Sequence, residues 1–369
     1  MKVIKGKYNE AIVYTDIIEE SAIDQIRLIC DQKFLRESKI RVMPDVHVGV
    51  GATIGTTMTI NKTIVPNLVG VDIGCGMETI QIKNKHIELQ KLDKLIYEKI
   101  PAGFNIRNKE HSYTSKINIE NLKCLKKGKI NFSRAKLSLG TLGGGNHFIE
   151  VNKGNNKSLY VTIHSGSRHL GLEVANYYQE LAYKELNENG HKHLAYLQGE
   201  LMNDYIHDMK IVQQYALINR KAMMNEIIKG MKLKVVDEFS TIHNYLDTDC
   251  MILRKGAVSA QKNEKIIIPI NMRDGSLICI GKGNVNWNYS APHGAGRVLS
   301  RRDTKDNFTL SEFKKQMKGI YTTSIDMSTL DECPMAYKNI DDILKNIDDT
   351  VEVAEIIKPI YNFKAKNIK

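Results

Sequence analysis

The stretch VMPDVHVGVGATIG (residues 42–55), followed closely by IVPNLVGVDIGCGM (64–77), decides how the chain is read. Val, Ile and Thr alternate here with glycine and other turn formers, the pattern of short strands joined by tight loops. Working outward, residues 1–40 read as a short strand and then a helix over about 21–33. Residues 86–100 place Ile87, Leu89, Leu92, Leu95 and Ile96 at helical spacing. The polar, basic stretch 105–136 reads as a mobile surface segment, and Lys123, Lys126, Lys127 and Lys129 read most simply as a solvated face. GTLGGGNHFIEV (140–151) is a glycine loop entering a strand, and LYVTIHSGSR (159–168) is a strand entering a turn. A helical region is expected from about 172 to 231, with Gly230 as its stop. Its stripe of Leu201, Tyr205, Met209, Val212, Ala216, Met223 and Ile227 belongs to the core. Short strands return over 235–300, and 310–358 is expected to be mostly helical. With no internal repeat, low-complexity tract or linker, the reading is one α+β domain over 1–369, central sheets flanked by helices.

The composition is that of a soluble globular protein: 369 residues, 42% hydrophobic and 26% charged. No apolar run approaches the roughly 20 residues of a membrane span. The start, MKVIKGKYNE, lacks a secretory signal, so the expected location is cytoplasmic. Six scattered cysteines, without a CxxC pair, read as free thiols. The net charge of +11 favours polyanionic partners, although a lysine-rich composition alone accounts for it equally well.

Several of the 11 histidines sit in loops. His147 follows Gly143, Gly144, Gly145 and Asn146. His164 opens into Ser165-Gly166-Ser167-Arg168, His243 precedes Asn244, and His293 lies in Pro292-His293-Gly294-Ala295-Gly296-Arg297. Any one of them is most simply a hydrogen-bonded structural residue. Four together point to a shared centre. Cys75, three residues after Asp72 and between Gly74 and Gly76, adds a thiolate and a carboxylate able to face one cation. Imidazole, thiolate and carboxylate are transition-metal ligands, with Zn²⁺ the first candidate by ligand type. Five candidates exceed one tetrahedral ion and suggest two metals sharing a bridging ligand, a role that suits a thiolate. The glycine turns GGGNH, HSGSR, GKGN and HGAGR can cradle phosphate. There is no Walker A motif, no GxGxxG at a strand–helix junction and no GxSxG elbow, so any nucleotide is held by another scheme.

Taken together, MPDVHxGxGxxIG, VGVDIGCGM, GTLGGGNHFIE, HSGSR, HNY, RKGAVSA, SAPHGAGRVLSR and DECPMAYKNIDD stand in the order found in RtcB RNA ligases. The chain resembles that family from about residue 41 to 364. The resemblance implies a GTP-dependent ligase, acting in RNA repair or tRNA splicing. It joins RNA 2′,3′-cyclic phosphate or 3′-phosphate ends to 5′-hydroxyl ends through a His–GMP intermediate. It implies two Mn²⁺ ions on Asp72, Cys75, His147, His164 and His243, with Cys75 bridging, and His293 as the nucleophile oriented by Asp45. It places Asn146, Phe148, Glu150, Ser276, Ala295, Gly296, Tyr337 and Lys364 around guanosine, and makes Arg168, Arg297 and Lys255 phosphate binders. Its expected partners are RNA with broken ends, GTP and an archease-type activator, and the expected state is a monomer. Arg301, Arg302 and Lys305, just past the nucleophile loop, are the first choice for an RNA surface. The chain departs from many relatives at PINMRDG (269–275), where they carry PGSMG. It departs again at Lys364-Ala365, which a further NIK follows, and it is shorter between about 100 and 140. The alternative is a metal-dependent phosphodiesterase or phosphatase on the same scaffold, which would keep the metal ligands but not need His293.

Overall fold

The computed structural model describes residues 1–127, 130–188 and 190–365. Two sheets dominate it. The first runs in the order Lys2–Lys5, Glu10–Val13, Ile40–His47, Ile54–Thr59, Ile252–Lys255, Asn244–Asp247. Its one parallel pair, Glu10–Val13 with Ile40–His47, is joined by a crossover that contains the helix Glu20–Cys30, shorter than its expected span. The second runs Val235–Ile242, Gly76–Ile82, Leu159–Ser165, Phe148–Lys153, Val351–Lys364, Gly275–Gly281, Lys265–Asn271, antiparallel throughout. A two-stranded ribbon, Ala257–Ser259 with Ser290–Pro292, carries the segment that leads into His293. Helices and strands alternate along the chain, and the architecture is α+β.

The expected helical region is two helices, Arg168–Glu185 and Gly199–Met231, separated by a 3-10 turn and a short strand. The stripe of the longer helix is core. Tyr205, Met209 and Val212 pack with the first sheet's Val42 and Leu253. Met223 and Ile227 pack with Ile80, Ile149 and Ile163 of the second. One helix thus spans both cores. Gly230 does not stop it: the helix ends one residue later, and Lys232 takes the left-handed conformation. A Cβ at 230 would lie 2.5 Å from the Leu95 side chain of the neighbouring helix Leu89–Lys99, which would have to shift to admit it.

Two expectations are corrected. The stretch 105–136 is packed, not mobile, through its described residues. Ile119, Leu122, Cys124 and Ala135 are buried, and buried Asp208 accepts the N–H groups of Lys123 and Cys124 at 2.8 and 2.9 Å. Lys129 and the side chains of Lys126 and Lys127 lie outside the described residues. The stretch 310–358 holds the short α-helices Leu310–Gln316 and Ile340–Leu344 and two single-turn 3-10 helices, Leu330–Glu332 and Pro334–Ala336, before the strand Val351–Lys364 begins. Pro359 obscures that strand in the sequence. It lacks an N–H, and the sheet accommodates it with a register shift between Pro359 and Tyr361. Among the described residues, no helix is long and apolar enough to cross a membrane.

Candidate active site

The candidate ligands converge from four chain segments. Asp72 and Cys75 share a turn, closed by Cys75 N–H donating to the Asp72 carbonyl at 3.1 Å, that feeds the strand Gly76–Ile82. Gly74 has φ +74, and a Cβ there would meet Gln213 and Ala216 of the long helix at 2.9 Å, so only glycine lets the turn sit this close. His164 lies on the adjacent strand opposite Met77, and His147 immediately precedes the next strand. His243 is tied in by its own N–H, which donates to the Cys75 carbonyl at 2.9 Å.

Cys75 Sγ lies 3.3 Å from His164 Nε2 and 3.5 Å from His147 Nε2. His147 Nε2 is 3.1 Å from Asp72 Oδ2, and His164 Nε2 is 3.4 Å from His243 Nε2. The other nitrogens fix the tautomers. His147 Nδ1 reaches the Leu142 carbonyl at 2.9 Å and His164 Nδ1 the Asn146 carbonyl at 3.2 Å. A carbonyl only accepts, so each Nδ1 carries the proton and each Nε2 turns a lone pair toward the sulfur. Two lone pairs and a sulfur facing one another in a buried space are the donor set of a soft or borderline cation, and Cys75, His147 and His164 form a metal-capable group. Burial is the main force that pushes the His164 and His243 imidazoles well below their ordinary range and the Cys75 thiol well above its own. Burial also pushes the Asp72 carboxyl up, but the combined influence of His147, Cys75 and Arg168 outweighs it and holds Asp72 below the usual carboxylate range.

His293 stands beside this cluster, its ring centroid 4.9 Å from that of His243. Its Nδ1 donates to Asp45 Oδ2 at 2.6 Å. Asp45 is fully buried, and the N–H groups of His293 and Gly294 reach the same oxygen at 3.1 and 3.2 Å. Gly296, at φ +77, packs on the Asp45 backbone, where a Cβ would fall 2.5 Å from its carbonyl oxygen.

A cavity of about 470 Å³ opens between His293 and the cluster. Asn146, Phe148, Glu150, Ala295, Gly296, Tyr337 and Lys364 all line it. Ser276 does not: it pairs with Pro269, which does line the cavity, and its hydroxyl is buried without a partner. Three residues of the divergent 269–275 segment, Ile270, Asn271 and Met272, join Pro269 in the wall. Glu150 is held by Asn362 Nδ2 at 2.7 Å and Asn152 Nδ2 at 3.3 Å, and burial raises its carboxyl to about 7 despite those two donors.

Sequence reasoning missed the acid at the far end of the cavity. Buried Glu332 accepts from Lys364 Nζ and Tyr337 Oη, both at 2.8 Å, and lies 2.6 Å from Arg301 Nη1. Burial pushes its carboxyl up, but Lys364 and Arg301 prevail and hold it at about 2. The available signal was the acidic pair Asp331-Glu332 at the head of DECPMAYK. His47 was missed too; it lines the cavity, with Nδ1 on the Asp45 carbonyl at 2.9 Å.

Three basic assignments change. Lys255 is buried, with its ammonium on the Val50 and Asn67 carbonyls, and burial lowers it to about 8. Arg297 borders the cavity, but its guanidinium is committed to the Leu299 and Asp331 carbonyls and Thr304. Arg301 and Lys305 pair with buried Asp331, whereas Arg302, 91% exposed, has only a loose contact of 3.7 Å with exposed Asp306. Arg168 faces a second cavity of about 300 Å³ beside Arg134, Gly144 and Gly145.

The family described as tRNA-splicing ligase RtcB matches residues 33–129 and 118–365. The RNA-splicing ligase RtcB of Escherichia coli (strain K12) is 32% identical over 362 residues, covering 87% of this chain and 88% of that protein. The tRNA-splicing ligase RtcB of Aeropyrum pernix is 28% identical over 439 residues, covering 90% and 89%. The RNA-splicing ligase RtcB2 of Escherichia coli (strain ATCC 25922) is 26% identical over 368 residues, covering 89% and 87%. The chain belongs to the RtcB family.

Proposed function

We propose that this chain is a GTP-dependent RNA ligase, acting as one catalytic domain, that joins a 2′,3′-cyclic phosphate or 3′-phosphate end to a 5′-hydroxyl end. The observation that carries the reading is His293 itself, at the junction of the ligand cluster and the cavity, with Nδ1–H held by Asp45. That bond leaves the lone pair on Nε2, the atom required for nucleophilic attack.

In the proposed sequence, His293 Nε2 attacks the α-phosphorus of GTP. The P–N bond forms, pyrophosphate leaves, and Asp45 steadies the positive charge that develops on the ring. An oxygen of the RNA 3′-phosphate then attacks the same phosphorus, which frees the imidazole and gives an RNA–ppG end. The 5′-hydroxyl attacks the RNA 3′-phosphate, GMP leaves, and a phosphodiester remains. A cyclic phosphate is opened by water first. Glu150, Lys364 and Tyr337 line the cavity; Glu150 would accept ring N–H groups of guanine, and Lys364 and Tyr337 would bound the base. Two Mn²⁺ ions on Asp72, Cys75, His147, His164 and His243 would supply the positive charge that neutralises phosphate oxygens and aligns them.

The test is incubation with Mn²⁺ and GTP labelled at the α-phosphate, followed by denaturing electrophoresis. The chain is expected to gain acid-labile, base-stable label, and His293→Ala to gain none. Label that persists in His293→Ala removes that residue from the role. A chain that takes no label but hydrolyses the RNA phosphate is the phosphodiesterase or phosphatase instead.

A further inference from the structure

The buried face of the long helix Gly199–Met231 is interrupted by polar residues at Asp208, which anchors the segment of Lys123 and Cys124, and at the adjacent pair Asn219-Arg220. Asn219 and Arg220 are both fully buried, between Tyr215 and Ile218 of one core and Met223 and Met224 of the other. A buried guanidinium is costly unless its N–H groups are matched, and here Arg220 Nε and Nη2 have no partner. Its charge is offset in part by buried Glu78, but those two N–H groups are not matched. What it does touch is specific: Arg220 Nη1 donates to the Gly74 carbonyl at 2.8 Å and the Ser165 carbonyl at 2.9 Å. These are the neighbours of Cys75 and His164 in the chain.

Asn219 completes the pattern. Its Oδ1 accepts the N–H groups of Gly140 and Thr141 at 2.8 and 3.1 Å. Its Nδ2 reaches the Thr141 carbonyl, Ser165 Oγ and the Gly166 carbonyl at 3.1, 3.2 and 3.0 Å. Ser165 Oγ in turn donates to the Leu142 carbonyl at 2.7 Å, the acceptor that fixes the His147 tautomer. Beyond Gly166, the Ser167 N–H donates to Asp72 Oδ1 at 3.0 Å. Two consecutive side chains on one rigid element therefore reach three of the ligand-bearing loops, and His243 follows through its bond to Cys75.

We propose that Asn219 and Arg220 are positioning residues that hold the loops of Asp72, Cys75, His147 and His164 at metal-binding separation. The proposal rests on the reading of that cluster as a metal site. The pair touches no reacting atom. Its effect is on the affinity of the cluster, because loops that must be ordered at binding lower that affinity.

The test titrates metal-depleted protein with Mn²⁺ alone by calorimetry, for the parent, Cys75→Ala, Asn219→Leu, Arg220→Lys and Asp208→Asn. Arg220→Lys keeps a charge and can reach one carbonyl. Asp208→Asn removes a buried anchor from the same helix, away from the cluster. Asn219→Leu and Arg220→Lys are expected to raise the Mn²⁺ dissociation constant about 10- to 100-fold, and to reduce the rise in Tm that Mn²⁺ gives. Asp208→Asn is expected to lower Tm without metal and leave the dissociation constant unchanged. Excess Mn²⁺ should restore GMP labelling in the pair variants. Parent-like Mn²⁺ affinity in Arg220→Lys overturns the proposal. Unfolding of both pair variants in saturating Mn²⁺ also overturns it, since they would then be determinants of the fold. A parent that binds no Mn²⁺ at all, like Cys75→Ala, overturns the metal reading instead.

Discussion

Replacing Asp45 with asparagine and with alanine should give two very different enzymes. The reason is that three N–H groups converge on one carboxylate oxygen: His293 Nδ1 at 2.6 Å, His293 N at 3.1 Å and Gly294 N at 3.2 Å from Oδ2. Oδ1 has no partner. An asparagine amide must therefore put its oxygen where Oδ2 lies, because its NH₂ there would face three donors. Asp45→Asn keeps the tautomer of His293 and loses only the charge. A hydrogen bond to a charged group contributes about 1.5–3 kcal/mol and a neutral one about 0.5–1.5. The loss felt by the ring as it becomes cationic is then about 1–1.5 kcal/mol, roughly tenfold in guanylation rate. Asp45→Ala removes the acceptor from all three donors and frees the tautomer. One charged bond and part of the cost of two stranded backbone N–H groups come to about 4 kcal/mol, roughly a thousandfold. The assay is the single-turnover rate of label incorporation from GTP at saturating nucleotide, with circular dichroism to confirm folding. Equal damage from both substitutions would refute the assignment of the bond as an orienting one.

Cys75→Ala should remove both metals or weaken both, since a bridging thiolate serves two ions, whereas a His243 substitution should spare one; full metal content in Cys75→Ala excludes bridging. Glu150 gives a pH prediction. Its folded carboxyl is raised from 4.5 to about 7, so it stabilises the protein below the unfolded value and that contribution is lost as pH rises through about 7. Urea midpoints of Glu150→Gln should match the parent's near pH 4.5 and exceed them increasingly toward pH 8; a constant offset contradicts this. For RNA, Arg302→Glu should weaken joining and leave His293 guanylation intact, lowering the salt slope by about 0.7 for each phosphate that is no longer neutralised. Arg301→Ala should act differently, raising the KM for GTP through Glu332; a joining defect in Arg301→Ala with normal guanylation would reverse that division of labour.

The parts of the site that were legible in the sequence are those in which the chemistry forces glycine. Gly74, Gly143 and Gly296 each allow a backbone approach that no side chain permits, and each stands beside a candidate ligand or nucleophile. What could not be read depends on tertiary partners. Glu332 is one acid among 42 acidic residues until Lys364 and Arg301 close on it. Nothing in the sequence singles out Asn219 and Arg220, because helical periodicity says which face is inward but not that two cores meet there. The strand Val351–Lys364 was hidden by Pro359, which counts against a strand until a register shift absorbs it.

The ribbon that presents His293 meets its orienting acid across a sequence separation of 248 residues, and Lys364 meets Asn146 across 218. Cys75 and His164, 89 residues apart, are among the nearer partners. Pairings this distant in sequence form late, because loop-closure entropy must be met before they return any stabilisation. The helices can form early and locally, yet none of them holds a working fragment of the site. On the proposed function, uptake of GMP by refolding chain would therefore report the arrival of these long-range pairings rather than the formation of helix.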